Sequence, residues 1–194
     1  MVTFICGFPR TGTSLCMQML AAPGLNCPGK YPGYESDRWD SLEGIDPSLA
    51  LEYDAIKWLE PHVTKVSYAP CRIIATRRGI DEQVKSHIKF LRETQGIVLT
   101  RPQKKVVRRT LTKERKAFWA KVNAMASSVL VLQFETVLSD PLGTAEMVAE
   151  FVGQGDPEVM AGVVVPRGPK CLPNMLEVEL RRRGSTLDKP PPKV

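Results

Sequence analysis

Short apolar runs alternate along this chain with longer segments in which apolar residues return every three to four positions. VTFIC at 2–6, AIKWL at 55–59, CRIIAT at 71–76 and SVLVLQF at 128–134 have strand length, and the last reads as a buried strand. GTSLCMQMLAA, from Gly12, turns Leu15, Met19 and Leu20 to one side, as a helix does. A second helix is expected over 80–92, and TLTKERKAFWAKVNAMA spaces Leu111, Phe118, Val122 and Met125 as a third. DPLGTAEMVAEFVG supplies a fourth, with Asp140 as its cap and Gly153 as its stop. Between these lie 23–46, rich in Gly, Pro and Asp and read as an ordered loop, and 93–109, which is basic and poorly periodic. Asp46-Pro47 looks like a helix start. Strands alternating with helices predict an α/β fold, a parallel sheet flanked by helices, as one domain over 1–164. The extension 165–194 is basic and proline-rich, expected to be partly helical at NMLEVELRRR and frayed at its end.

Composition agrees with this outline. The chain has 194 residues, 43% of them hydrophobic and 25% charged, enough for one sizeable core. A net charge of +6 suggests an anionic partner: nucleotide, acidic substrate, nucleic acid or membrane surface. The five cysteines lack metal-ligand spacing, and Cys6, Cys16 and Cys71 lie in apolar runs. Reduced thiols in a cytoplasmic setting are the expectation. VTFIC is too short for a signal peptide, and no later apolar run is long enough to span a bilayer.

GFPRTGTS, residues 7–14, narrows the chemistry. Gly7, Gly12 and Ser14 stand where G-x-x-x-x-G-K-[ST] requires them, but Thr13 replaces the lysine and Arg10 sits inside the turn. Backbone N–H groups around glycines, leading into a helix N-terminus, form an anion cradle whatever the side chains are. The missing lysine, and strands ending in Arg77-Arg78 and Glu135, argue against the magnesium-dependent use of such a loop. A second signal is RRGIDEQVKS, where two arginines meet a helix N-terminus and oppose its dipole unless an anion lies between them.

These residues resemble the sulfotransferases that use 3'-phosphoadenosine-5'-phosphosulfate (PAPS), and the resemblance runs along nearly the whole chain. FPRTGTSL is similar to that family's 5'-phosphosulfate loop, which implies that Pro9, Arg10, Thr11, Gly12, Thr13 and Ser14 hold that group. CRIIATRRGIDEQVKS resembles its 3'-phosphate motif, a strand, an arginine and a serine eight positions later, mapping to Arg78 and Ser86 with Arg77 as the alternative register. KYPGYESD is similar to a bacterial segment at Gly33, Tyr34 and Glu35, and FETVLSDPLGTAEMVAEFVG to a late structural stretch. The implied fold is P-loop-like, the co-substrate PAPS, and no metal is needed.

AIKWLEP resembles the frame of the family's K-T-H segment but keeps only Lys57, which the resemblance implies stabilises the leaving oxygen. Leu59 stands where the histidine base would fall, so His62, Glu60 and Glu35 are the candidates to replace it. PRGPK faintly suggests the C-terminal phosphate loop, at Arg167, Gly168 and Lys170. The acceptor is open among small polar metabolites, lipids and glycans. Three rivals remain: a P-loop small-molecule kinase, a catalytically inactive nucleotide sensor, and a basic nucleic-acid binder using KKVVRR and RRR, for which a solvated face is the commoner reading.

Overall fold

The computed structural model describes residues 2–35, 49–64 and 71–165. Arg167, the helix expected at NMLEVELRRR and the Asp46-Pro47 start lie outside them. In chain order the elements are β1 (Thr3–Gly7), α1 (Thr13–Ala21), α2 (Leu49–Glu52), β2 (Ala55–Leu59), β3 (Cys71–Arg77), α3 (Ile80–Gln95) and α4 (Arg101–Met125). They continue through β4 (Ala126–Gln133), α5 (Phe134–Ser139), α6 (Pro141–Val152) and α7 (Pro157–Gly162).

The four strands form one all-parallel sheet in the order β2-β1-β3-β4. One of its two inner strands, β1, is buried along its whole length, because helices cover both faces. Alternation divides the core. Phe4 pairs with Ile56 and Ile73, and with Cys6, Trp58 and Ala75 these side chains meet Val84 of α3 and Leu111, Phe118, Val122 and Met125 of α4. Ile5 and Ile74 point the other way, into α1, α5, α6 and α7 through residues such as Met17, Leu20, Val137, Val148 and Met160. Each fully buried side chain of this size contributes about 1.5–3 kcal/mol.

Parallel neighbours need crossovers, and their directions fix where a ligand can sit. The chain leaves β1 towards β2 on one side, whereas from β3 it leaves towards β4 on the other. The crevice past the carboxyl ends of β1 and β3 is therefore a topological switch point. Gly7 and Thr76 face each other there.

Two expectations change. SVLVLQF is not a buried strand: β4 is an edge strand of the described sheet, Ser127, Ser128 and Val131 are exposed, and Phe134 already belongs to α5. An apolar run cannot by itself reveal whether a neighbour covers it. The basic stretch 93–109 is mostly helical, since α3 continues to Gln95 and α4 begins at Arg101. Thr100 donates from its backbone N–H and its hydroxyl to Gln103 Oε1, at 2.8 and 2.9 Å, and Pro102 fits the first turn. The first turns of α4 are solvent-exposed, so no apolar stripe marks them.

Candidate anion-binding site

The loop after β1 is shaped by close approach. A Cβ on Gly7 would lie 2.6 Å from Thr13 Cγ2 and 2.7 Å from Thr11 Oγ1, so only glycine lets the chain fold back here. The Thr11 hydroxyl lies 2.7 Å from the Phe8 carbonyl and 2.8 Å from Thr76 Oγ1, which ties the loop to β3. Arg10 and Gly12 both have positive φ, 70° and 104°. For arginine that conformation costs about 1–2 kcal/mol, a strain that surrounding contacts must hold in place. A Cβ at Gly12 would meet Phe134 Cδ2 at 2.7 Å. Gly12 then opens α1 with no side-chain cap and no acidic residue in the first turn, leaving the positive end of the helix dipole for an anion.

From the other side of the crevice, α3 presents one face, Gln83, Ser86, His87 and Phe90, at helical spacing. Arg10 Nε lies 3.3 Å from Ser86 Oγ and its guanidinium stands 5.0 Å from the Phe90 ring centre. Arg78 is buried, its Nη1 3.4 Å from the Arg10 carbonyl and its guanidinium 4.3 Å from the centre of the Phe134 ring. Arg77 is exposed. Gln83 donates to the Pro9 carbonyl at 3.0 Å and accepts from Arg115 Nη2 at 2.7 Å, while the same Nη2 reaches the Arg78 carbonyl at 2.7 Å. Burial and the Arg77 charge lower the Arg115 pKa, and Glu135 opposes them. The Glu135 carboxylate accepts the Gly79 N–H at 3.1 Å. Asp81 pairs with Arg108 and Glu82 with Lys85.

Lys57 points from β2 to the start of α1. Its ammonium donates to Ser14 Oγ at 3.0 Å, to the Gly33 carbonyl at 2.9 Å and to Glu35 Oε1 at 2.8 Å. The lysine side chain is only 3% exposed but that of Glu35 is 70% exposed, so water screens the carboxylate end of this pair. Gln18 holds the same loop through the Pro32 carbonyl, at 2.8 Å.

The residues singled out from the sequence therefore gather in two groups. Arg10, Arg78 and Ser86 converge, with Pro9, Thr11, Gly12 and Thr13 forming the turn beneath them; Lys57, Ser14 and Glu35 form the second group. His62 has other partners: its Nε2 lies 3.0 Å from Glu114 Oε2 of α4, and its ring packs against Phe8 and Phe118. Burial raises the nearby Glu60 carboxyl pKa, with His62 opposing and Glu114 adding to the shift. Gln83, His87, Phe134 and Arg115 were not singled out. The first two could have been found by continuing the spacing of Ser86 along its helix face; Phe134 and Arg115 arrive from distant elements and carry no local signal.

The arrangement gathers arginines and an uncapped helix N-terminus around one turn, an environment that favours an anion such as a phosphate or sulfate ester. No protein-family model matches this chain, and no curated protein matches it.

Proposed function

We propose that this protein is a sulfotransferase of the P-loop-like fold that binds PAPS and passes its sulfuryl group to an acceptor hydroxyl or amine. One observation carries the reading: Arg10 of the glycine loop reaches Ser86 with its side chain and receives Arg78 on its carbonyl, so two motifs distant in sequence meet at one residue. A ligand with phosphate-type groups at two ends fits such a junction. The first-turn N–H groups of α1, with Arg10 and Ser14, would hold the 5'-phosphosulfate, and Arg78 with Ser86 the 3'-phosphate.

Transfer to an acceptor requires positioning and stabilisation of charge on the leaving oxygen. Lys57 suits the second task because it is fixed beside Ser14, in the first turn of α1. All three of its donors have partners, so it must release one to serve an anion, and the exposed Glu35 carboxylate is the most replaceable. Glu35 is also the candidate base in contact with Lys57, where it could take a proton from an acceptor. A nucleotide-binding protein without turnover is the second reading, favoured by Leu59 at the base position and by His62 being engaged with Glu114.

Thermal unfolding tests binding. 3'-Phosphoadenosine-5'-phosphate without magnesium should raise Tm more than ATP with magnesium, because a ligand selective for the folded state stabilises it by mass action. Arg78→Ala should weaken that nucleotide about tenfold to a hundredfold, as removal of a charge-assisted hydrogen bond does, and leave adenosine 5'-phosphosulfate nearly unaffected. Equal or greater stabilisation by magnesium ATP would refute the reading in favour of a kinase. Release of the product nucleotide from PAPS over an acceptor panel separates the enzyme from the silent binder.

A further inference from the structure

The longest helix, α4, reaches the crevice through Arg115, but most of its polar surface lies elsewhere. α4 buries Leu111, Phe118, Val122 and Met125 along one seam, and its sequence carries nine Lys and Arg against one carboxylate, Glu114. Lys105, Arg109, Thr112, Lys113 and Lys116 recur at the spacing of a single helix face, opposite that seam, and all are exposed. With Arg108 they line a shallow open groove. Arg108 pairs with Asp81 at 2.6 Å; among the described residues Lys105, Arg109, Lys113 and Lys116 have no acidic partner. Continuing to Arg101, the basic stripe is about 22 Å long at the usual helical rise.

Apolar side chains border the same stripe. Val98 is 76% exposed and Ile97 42%, in the turn that leads into α4, and Val106 beside Lys105 is 59% exposed. Single exposed apolar residues are ordinary, but here three of them cluster at one end of a basic stripe. A phosphate backbone would satisfy the cations and leave these side chains in water; aromatic residues for base stacking are missing from the face. An anionic bilayer satisfies both, its headgroups meeting the cations and its acyl boundary taking the apolar tip. No helix among the described residues is long and apolar enough to cross a membrane, so this contact would be peripheral.

We propose that the α4 stripe and the Ile97-Val98 tip form a docking surface for an anionic lipid bilayer. The inference does not depend on the sulfotransferase reading. The full chain is sedimented with vesicles of phosphatidylcholine alone and of phosphatidylcholine mixed with phosphatidylserine, with duplex DNA as a separate arm. Binding should be at least about tenfold tighter to the mixed vesicles, since each basic residue near an anionic surface is worth about fivefold. Lys105→Glu/Arg109→Glu/Lys113→Glu should weaken it by about a hundredfold or more, and Val98→Asp by about tenfold, with Tm unchanged because these positions are exposed. If the triple variant does not fold, Lys113→Glu and Val98→Asp, each alone, decide. No binding to mixed vesicles, or equal binding to both kinds, overturns the proposal. So does a Val98→Asp variant that binds as well as wild type, and DNA binding tighter than vesicle binding would assign the surface to nucleic acid instead.

Discussion

His87 stands one position beyond Ser86 on the α3 face that meets Arg10. Burial and the Arg10 charge both hold its imidazole pKa below the ordinary value, so the folded protein keeps this ring neutral where an unfolded chain would take a proton. The unfolded state therefore binds more protons on acidification. The stability associated with a neutral His87 is fully present above an ordinary histidine pKa of about 6.5 and is lost as pH falls from there towards the lowered folded value. Glu60 acts in the opposite sense, since burial raises its carboxyl pKa and its share is lost as pH rises through that raised value. His87→Gln isolates the histidine: between about pH 7.5 and pH 5.5 its Tm should fall less than the wild-type Tm. Parallel pH slopes in the two proteins would remove His87 from the account. Residue chemistry of this kind was only partly legible. Arg77 and Arg78 are equivalent on paper, and their separation into an exposed and a buried guanidinium follows from which face of the strand end each occupies.

The start and stop of α6 were the most legible. Asp140 accepts the Gly143 N–H at 3.0 Å and Gly153 closes α6 with φ 81°, as the local sequence alone implies, because caps are satisfied within a few residues. The beginning of α4 left no apolar stripe to read, because residues 101–106 are solvent-exposed, although Thr100 and Gln103 carried the cap signal. Asp140→Ala removes the side-chain cap of α6 and should cost about 1 kcal/mol of stability while leaving intact the Tm gain expected from 3'-phosphoadenosine-5'-phosphate. Gly12→Ala forces an alanine into the left-handed region and against Phe134, on which Arg78 also rests, so it should lower stability by about 1–2 kcal/mol and abolish the gain. Denaturant unfolding with and without ligand reads both quantities; a Gly12→Ala protein that keeps the full ligand gain would show that the turn is structural only.

At the scale of the molecule, the strand and helix alternation was enough to expect a parallel sheet covered by helices, and the described structure has one. The order of the strands was not legible, because AIKWL and CRIIAT are both mostly apolar and nothing in either says which side of β1 it takes. The switch point, and with it the meeting of Arg10 with Ser86, depends on that order. The same layering sets the reactivity of the thiols. Cys6 and Cys16 are enclosed between the sheet and its helices, and burial pushes the Cys16 thiol up to about 12. Alkylating reagents act on thiolates, so near neutral pH these two sulfurs should be silent in the folded protein and react only through opening of the core. Their labelling rate, followed by mass spectrometry, should therefore track global unfolding and slow further when a ligand is bound. Fast modification of Cys16 in native buffer would contradict the packing. The protein thus carries its own clock for core opening, one that runs without any engineered probe.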